Sequence, residues 1–177
     1  MKRRVFLSLV GGTVVASKQG EGKMNRIALA GLLLILAVPA NAGPDALGCF
    51  TRTYDRAHLA QHPDQVVTAV MLRIYRPPPG NAEKYWFLAQ FRLRGKDGTL
   101  RTNGICSEKA TGLRCLVECD GGGVDVAPGA RDATMHLDRI SGPACEDSGQ
   151  ELTGGKDDRV FRLDRVNDAA CAGMKPR

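Results

Sequence analysis

Residues 85–94 read YWFLAQFRLR, and in this run Phe87, Ala89, Phe91 and Leu93 fall on one side of an extended chain while Leu88, Gln90, Arg92 and Arg94 fall on the other. Side chains alternate across a strand with a period of two, so a run of this kind has one face to bury and one to show. The preceding run VVTAVMLRIY repeats the pattern, with Val66, Val70, Leu72 and Ile74 expected on one face together with Thr68. Between the two lies PPPGNAE, which cannot continue a sheet and reads as a loop. No alternation of strands with long helices follows, which removes the parallel α/β folds from consideration.

The same punctuation continues downstream. TLRTNGICS and LRCLVECD form a hairpin, Gly121-Gly122-Gly123 is expected to turn the chain, VDVA is a short strand, and PGARD turns it again. ATMHLDRI (133–140) and RVFRLDRV (159–166) share Leu-Asp-Arg before a β-branched residue. No third copy occurs, so they read as two amphipathic strands of one architecture and not as a solenoid. YDRAHLAQHPDQ is compatible with a short helix until Pro63 stops it. The expected fold is therefore all-β or β-dominated. Its first form is a small antiparallel barrel of seven or eight strands with one short N-terminal helix, since closure removes exposed strand edges; a two-sheet sandwich is the second form.

Residues 24–42, MNRIALAGLLLILAVPANA, have the layout of a signal peptide. Arg26 ends a basic start, Ile27 to Val38 are apolar, Pro39 breaks the run, and Ala40-Asn41-Ala42 is a small-x-small cleavage site. Twelve apolar residues make roughly 18 Å of helix, against a hydrocarbon core of about 30 Å, so the run is too short for a stable membrane span. Residues 1–23 contain Arg3-Arg4 before a hydrophobic stretch and resemble a twin-arginine export segment, but a complete signal follows directly. Initiation at Met24 is the preferred reading, with 1–23 an over-extended N-terminus and 43–177 the single mature domain, periplasmic or secreted.

The leader also accounts for the chain's basic balance. Six of the 25 basic residues and one of the 19 acidic residues precede Gly43, leaving 19 and 18 in the mature part. A chain so nearly neutral carries no electrostatic footprint for nucleic acid. All six cysteines, Cys49, Cys106, Cys115, Cys119, Cys145 and Cys171, lie behind the export signal and read as a disulfide framework. Of fifteen possible pairings, Cys106 with Cys115 fits a symmetric hairpin around SEKATGLR, Cys49 with Cys171 ties the two ends together, and Cys119 is left with Cys145.

Candidate chemistry is sparse. His58 and His62 stand four apart, so a helix would put both imidazoles on one face, and a metal site is one expectation for them. The glutamate of a zinc-protease motif is missing. CDGGGVDV is not followed by Lys-Ser/Thr or a long helix, so it reads as a turn and not a phosphate loop. No Gly-x-Ser-x-Gly elbow occurs. The paired acids Glu146-Asp147 and Asp157-Asp158 would serve an unrecognised hydrolase only if they faced each other across a cleft.

The mature part has eight aromatic residues, four of them being Tyr75, Tyr85, Trp86 and Phe87 in and beside the proline loop. These four are the expected ligand-binding residues, because a proline-stiffened loop loses little entropy when it binds. The leading expectation is thus an exported, non-enzymatic binding domain with no cofactor, whose partner is a protein or a small apolar ligand held at rim loops. A periplasmic metal-binding protein and a hydrolase are the alternatives. Architecture of this kind also suits exported inhibitors of cell-wall or proteolytic enzymes, an analogy that does not establish function.

Overall fold

The computed structural model describes residues 46–96, 98–142 and 150–176. The expectations for the leader, for Cys145 and for Glu146-Asp147 lie outside the described residues. From residue 46 onward the chain forms β1 (Gly48–Thr53), a helix α1 (Arg56–Gln61), β2 (Val67–Tyr75), β3 (Tyr85–Leu93), β4 (Thr99–Lys109), β5 (Gly112–Val117) and β6 (Gly122–Pro128). It continues through β7 (Asp132–Ser141), β8 (Glu151–Thr153), β9 (Val160–Val166) and a 3-10 turn at Asp168–Cys171.

Consecutive strands from β1 to β7 pair antiparallel, and β9 pairs with both β7 and β1, so eight strands close a barrel. The ninth, β8, is an addition alongside the last residues of β7. The similar strings 133–140 and 159–166 prove to be neighbours, with Met135 opposite Phe161 and Ala133 opposite Leu163. Alternation explains the closure: Phe50, Leu72, Phe87, Phe91, Met135, Phe161 and Leu163 all point inward and are fully buried in one cluster. Gly104, on the inner side of β4, is required by this packing. A Cβ there would meet the Leu116 carbonyl oxygen at 2.0 Å and Phe87 Cε1 at 2.9 Å.

Two local expectations are corrected. A bulge between Val67 and Ala69 inserts a residue into β2. Val67 rather than Val66 therefore enters the core, and Val66 is 43% exposed. The turn expected at Gly121-Gly122-Gly123 is made earlier: Gly121 N–H donates to Glu118 O at 3.2 Å, and Cys119 and Asp120 take φ of 52° and 61°. Positive φ at both central positions matches the twist of a hairpin, although neither residue is glycine. Gly122 and Gly123 instead open β6, where a Cβ on Gly122 would lie 2.0 Å from Arg139 O.

Cross-links fasten the barrel. Cys106 and Cys115 are cross-strand partners and form one disulfide; Cys49 and Cys171 form another. Both are pairings that the spacing favours. Cys119 is disulfide-bonded too. The Cys49–Cys171 bond carries the C-terminal turn onto the outside of the barrel, where Cys171 and Met174 cover Leu88 and Met71 in a second apolar cluster. That cover explains an apolar Leu88 on the outward side of β3. Burying such a side chain contributes about 1.5–3 kcal/mol.

Candidate functional site

The four aromatic candidates divide between the two faces of the barrel wall. Phe87 is fully buried in the interior, and Tyr85 is buried at the end of the same inward row, its hydroxyl donating to Glu108 Oε1 at 3.3 Å. Tyr75 and Trp86 are opposite one another in the β2–β3 ladder and face outward, their rings edge to face at 6.2 Å. The ladder carries the line on: Trp86 is opposite Ile105 on β4, and Ile105 is opposite Leu116 on β5. Tyr75, Trp86, Ile105 and Leu116 thus form one row across four strands.

Ile105 and Leu116 are 37% and 44% exposed, while Tyr75 and Trp86 are half-buried. The row ends over Gly123, where a Cβ would come within 2.9 Å of the Leu116 side chain. Arg73 stands beside it with its guanidinium over the Tyr75 ring at 5.3 Å. Burial pushes the Tyr75 phenol above its usual pKa, and Arg73 pulls against that shift. The Trp86 indole Nε1 is buried without a hydrogen-bond partner among the described residues. Ile105 and Leu116 could not be picked out from the sequence, because only the register of β3, β4 and β5 brings them beside Trp86.

A second concave region lies at one end of the barrel, where α1 meets the end of β1 and the start of β9. Asp55 caps α1 by accepting from His58 N–H at 2.7 Å, and the chain leaves the helix at His62 just before Pro63. Positions 54, 58 and 62 then stack, with Tyr54 and His58 centroids 4.7 Å apart and His58 and His62 centroids 4.3 Å apart. Gln65 is buried and donates its amide to Val67 O at 2.7 Å, which turns its Oε1 toward His58 Nε2 at 3.0 Å. In that pairing Nε2 is the donor, since the amide oxygen can only accept.

Across from the stack, Lys156, Asp157, Arg159 and Arg162 complete a cleft of about 540 Å³ that also includes Arg52. Asp157 Oδ1 is 3.8 Å from His62 Nδ1, and Arg52 bonds Asp164 at 3.1 Å. Lys156, Arg159 and Arg162 have no carboxylate partner among the described residues. Burial raises the Tyr54 phenol pKa, with Arg52 opposing.

Asp158, next to this cleft, is spent on the backbone. Its two carboxylate oxygens accept from Val66 N–H at 2.6 Å and Val67 N–H at 3.1 Å, which clamps the β8–β9 loop to the segment between α1 and β2. Burial pushes its carboxyl above the usual range against the opposing pull of those two amides. His136 sits on the exposed side of β7 between Asp125 and Val160 in the ladders. Among the described residues no three histidine, cysteine or acidic side chains gather as a metal site would require. No helix among them is long and apolar enough to cross a membrane. No protein-family model, curated protein or solved structure matches the chain.

Proposed function

We propose that the chain is an exported, disulfide-stabilised, non-enzymatic binding domain that takes a partner protein on the outer wall of its barrel. The observation that carries this reading is the register-aligned row Tyr75, Trp86, Ile105 and Leu116. A protein is favoured over a small apolar ligand because large side chains fill the barrel interior and the row lies on an outward, convex wall, where a small molecule would bury little of its surface. An apolar strip of a few hundred Å² rimmed by polar groups is what the centre of a protein contact presents.

Arg73 flanks the row with no carboxylate partner among the described residues, so the fitting partner sets apolar side chains at the centre and a carboxylate at that edge. Asp158, held by two backbone amides, is a structural carboxylate, which takes support away from hydrolysis through the Asp157-Asp158 pair.

The test is photo-crosslinking of the exported protein in its own cell, with the reactive side chain placed at Leu116 and, as control, at His136. The expected result is one discrete product from position 116 and none from 136. Its purified partner should rebind the isolated domain about tenfold or more weakly when Ile105→Arg is introduced. Equal labelling from both positions, a product that is only a second copy of this chain, or rebinding indifferent to Ile105→Arg would overturn the proposal.

A further inference from the structure

We infer that the cleft between α1 and β9 is a binding site for a small polyanion, a compact molecule carrying two or more phosphate or carboxylate groups. Four cations line it, Arg52, Lys156, Arg159 and Arg162, and two imidazoles, His58 and His62, stand on the opposite wall. One of the four is neutralised, Arg52 by Asp164. The lining contains a single carboxylate, Asp157, and that group is aimed at His62 rather than at the arginines. Three cations with no counter-charge around one concavity of about 540 Å³ repel one another, and the arrangement is relieved by an anion that bridges them. The volume is that of a typical small-molecule site.

The cleft is also held in shape before anything binds. Asp158 ties the loop bearing Lys156 and Arg159 to the segment bearing Gln65, and Gln65 in turn fixes the His58 ring. The histidine stack is thereby a fixed wall instead of a pair of freely turning side chains, so little conformational freedom is lost on binding. Arginine forks match phosphate and carboxylate oxygens equally well in geometry, so both chemistries satisfy the site. This site is separate from the apolar row, which lies on β2 to β5, and it stands whether or not a protein partner is found there.

The probes are tripolyphosphate and citrate, titrated calorimetrically into the mature domain at low salt, with inorganic phosphate as a monovalent-site comparison. Saturable one-to-one binding of at least one polyanion is expected, tighter than that of inorganic phosphate and weakened by added salt. Which of the two binds more tightly assigns phosphate or carboxylate chemistry. Arg159→Gln with Arg162→Gln should weaken binding by roughly tenfold per arginine, the scale of a charged hydrogen bond, while the melting temperature stays in place. Arg131→Gln, an exposed arginine away from the cleft, should leave binding unchanged. No saturable binding of either polyanion, or the same loss in Arg131→Gln as in the cleft variants, would overturn the inference.

Discussion

Replacing Asp158 with asparagine changes one atom in the side chain and tests what clamps the cleft. Two backbone N–H groups, from Val66 and Val67, point at its two oxygens at 2.6 and 3.1 Å. An asparagine keeps one acceptor and turns an N–H₂ toward the other donor, so one bond to a charged acceptor is lost and one amide is stranded. Such a bond is worth about 1.5–3 kcal/mol, from which the relief of no longer burying a charge must be subtracted, leaving a net loss of roughly 1–3 kcal/mol. The pH dependence has a definite sign. Burial raises the Asp158 pKa in the folded protein, with the Val66 and Val67 amides opposing, so the folded state holds this proton more tightly than the unfolded chain. The associated stability is therefore fully present below the unfolded carboxyl pKa of about 4 and is lost as pH rises through the raised folded value. Asparagine does not titrate, so the advantage of the parent over Asp158→Asn should narrow as pH is raised through that window. Urea unfolding followed by circular dichroism at a series of pH values measures both quantities. A variant within about 0.5 kcal/mol of the parent would falsify the clamp as described, whereas a gap that widens with pH would refute the burial-raised carboxyl and show the two amides outweighing burial.

Cross-links and turns supply further tests. The Cys49–Cys171 bond spans 122 residues and Cys106–Cys115 spans 9, which by loop entropy is worth about 5 against about 2.5 kcal/mol; paired alanine substitutions, compared by urea titration, should preserve that order. Asp120→Gly relieves a left-handed conformation and should stabilise by about 1 kcal/mol in thermal melts. Gly104→Ala drives a methyl into the Leu116 carbonyl and Phe87 and should cost several kcal/mol or prevent folding, read as loss of soluble oxidised protein. Leu116→Arg, at an exposed position, should leave the unfolding midpoint within about 0.5 kcal/mol of the parent while abolishing contact with any partner of the outer wall.

The barrel was legible because closure gives every strand one buried face, and a period of two reports that face directly. The reading slipped where a local event changed the phase. At Val66 and Val67 the extra residue of a bulge leaves no mark in composition, and only pairing with β3 reveals which valine enters the core. At Cys119-Asp120 the three following glycines are the stronger turn signal. Gly122 and Gly123 are needed instead for close strand approach, and a bonded cysteine and an aspartate form the centre of the turn that Gly121 closes. Leu88 shows the converse, an apolar residue on the polar side whose cover comes from Cys171 and Met174 at the far end of the chain.

Site residues were harder to read because both candidate surfaces are made by register. Tyr75 and Trp86 stand out as aromatics, but Ile105 and Leu116 look like ordinary strand residues until β3, β4 and β5 are laid side by side. Arg159 and Arg162 read as the solvent side of an amphipathic strand, and only the placement of α1 over that end of the barrel turns them into a cleft wall. Both cases follow from one physical fact. A barrel of eight strands whose interior is occupied by phenylalanines, leucines and a methionine has no room to host a ligand within it, so the binding proposed above falls to its outer surface. There the inward-facing pattern that specifies the fold places no constraint on the alternate positions. Outward side chains that cost solubility or stability, such as an exposed leucine and arginines with no carboxylate partner among the described residues, are where function is to be sought.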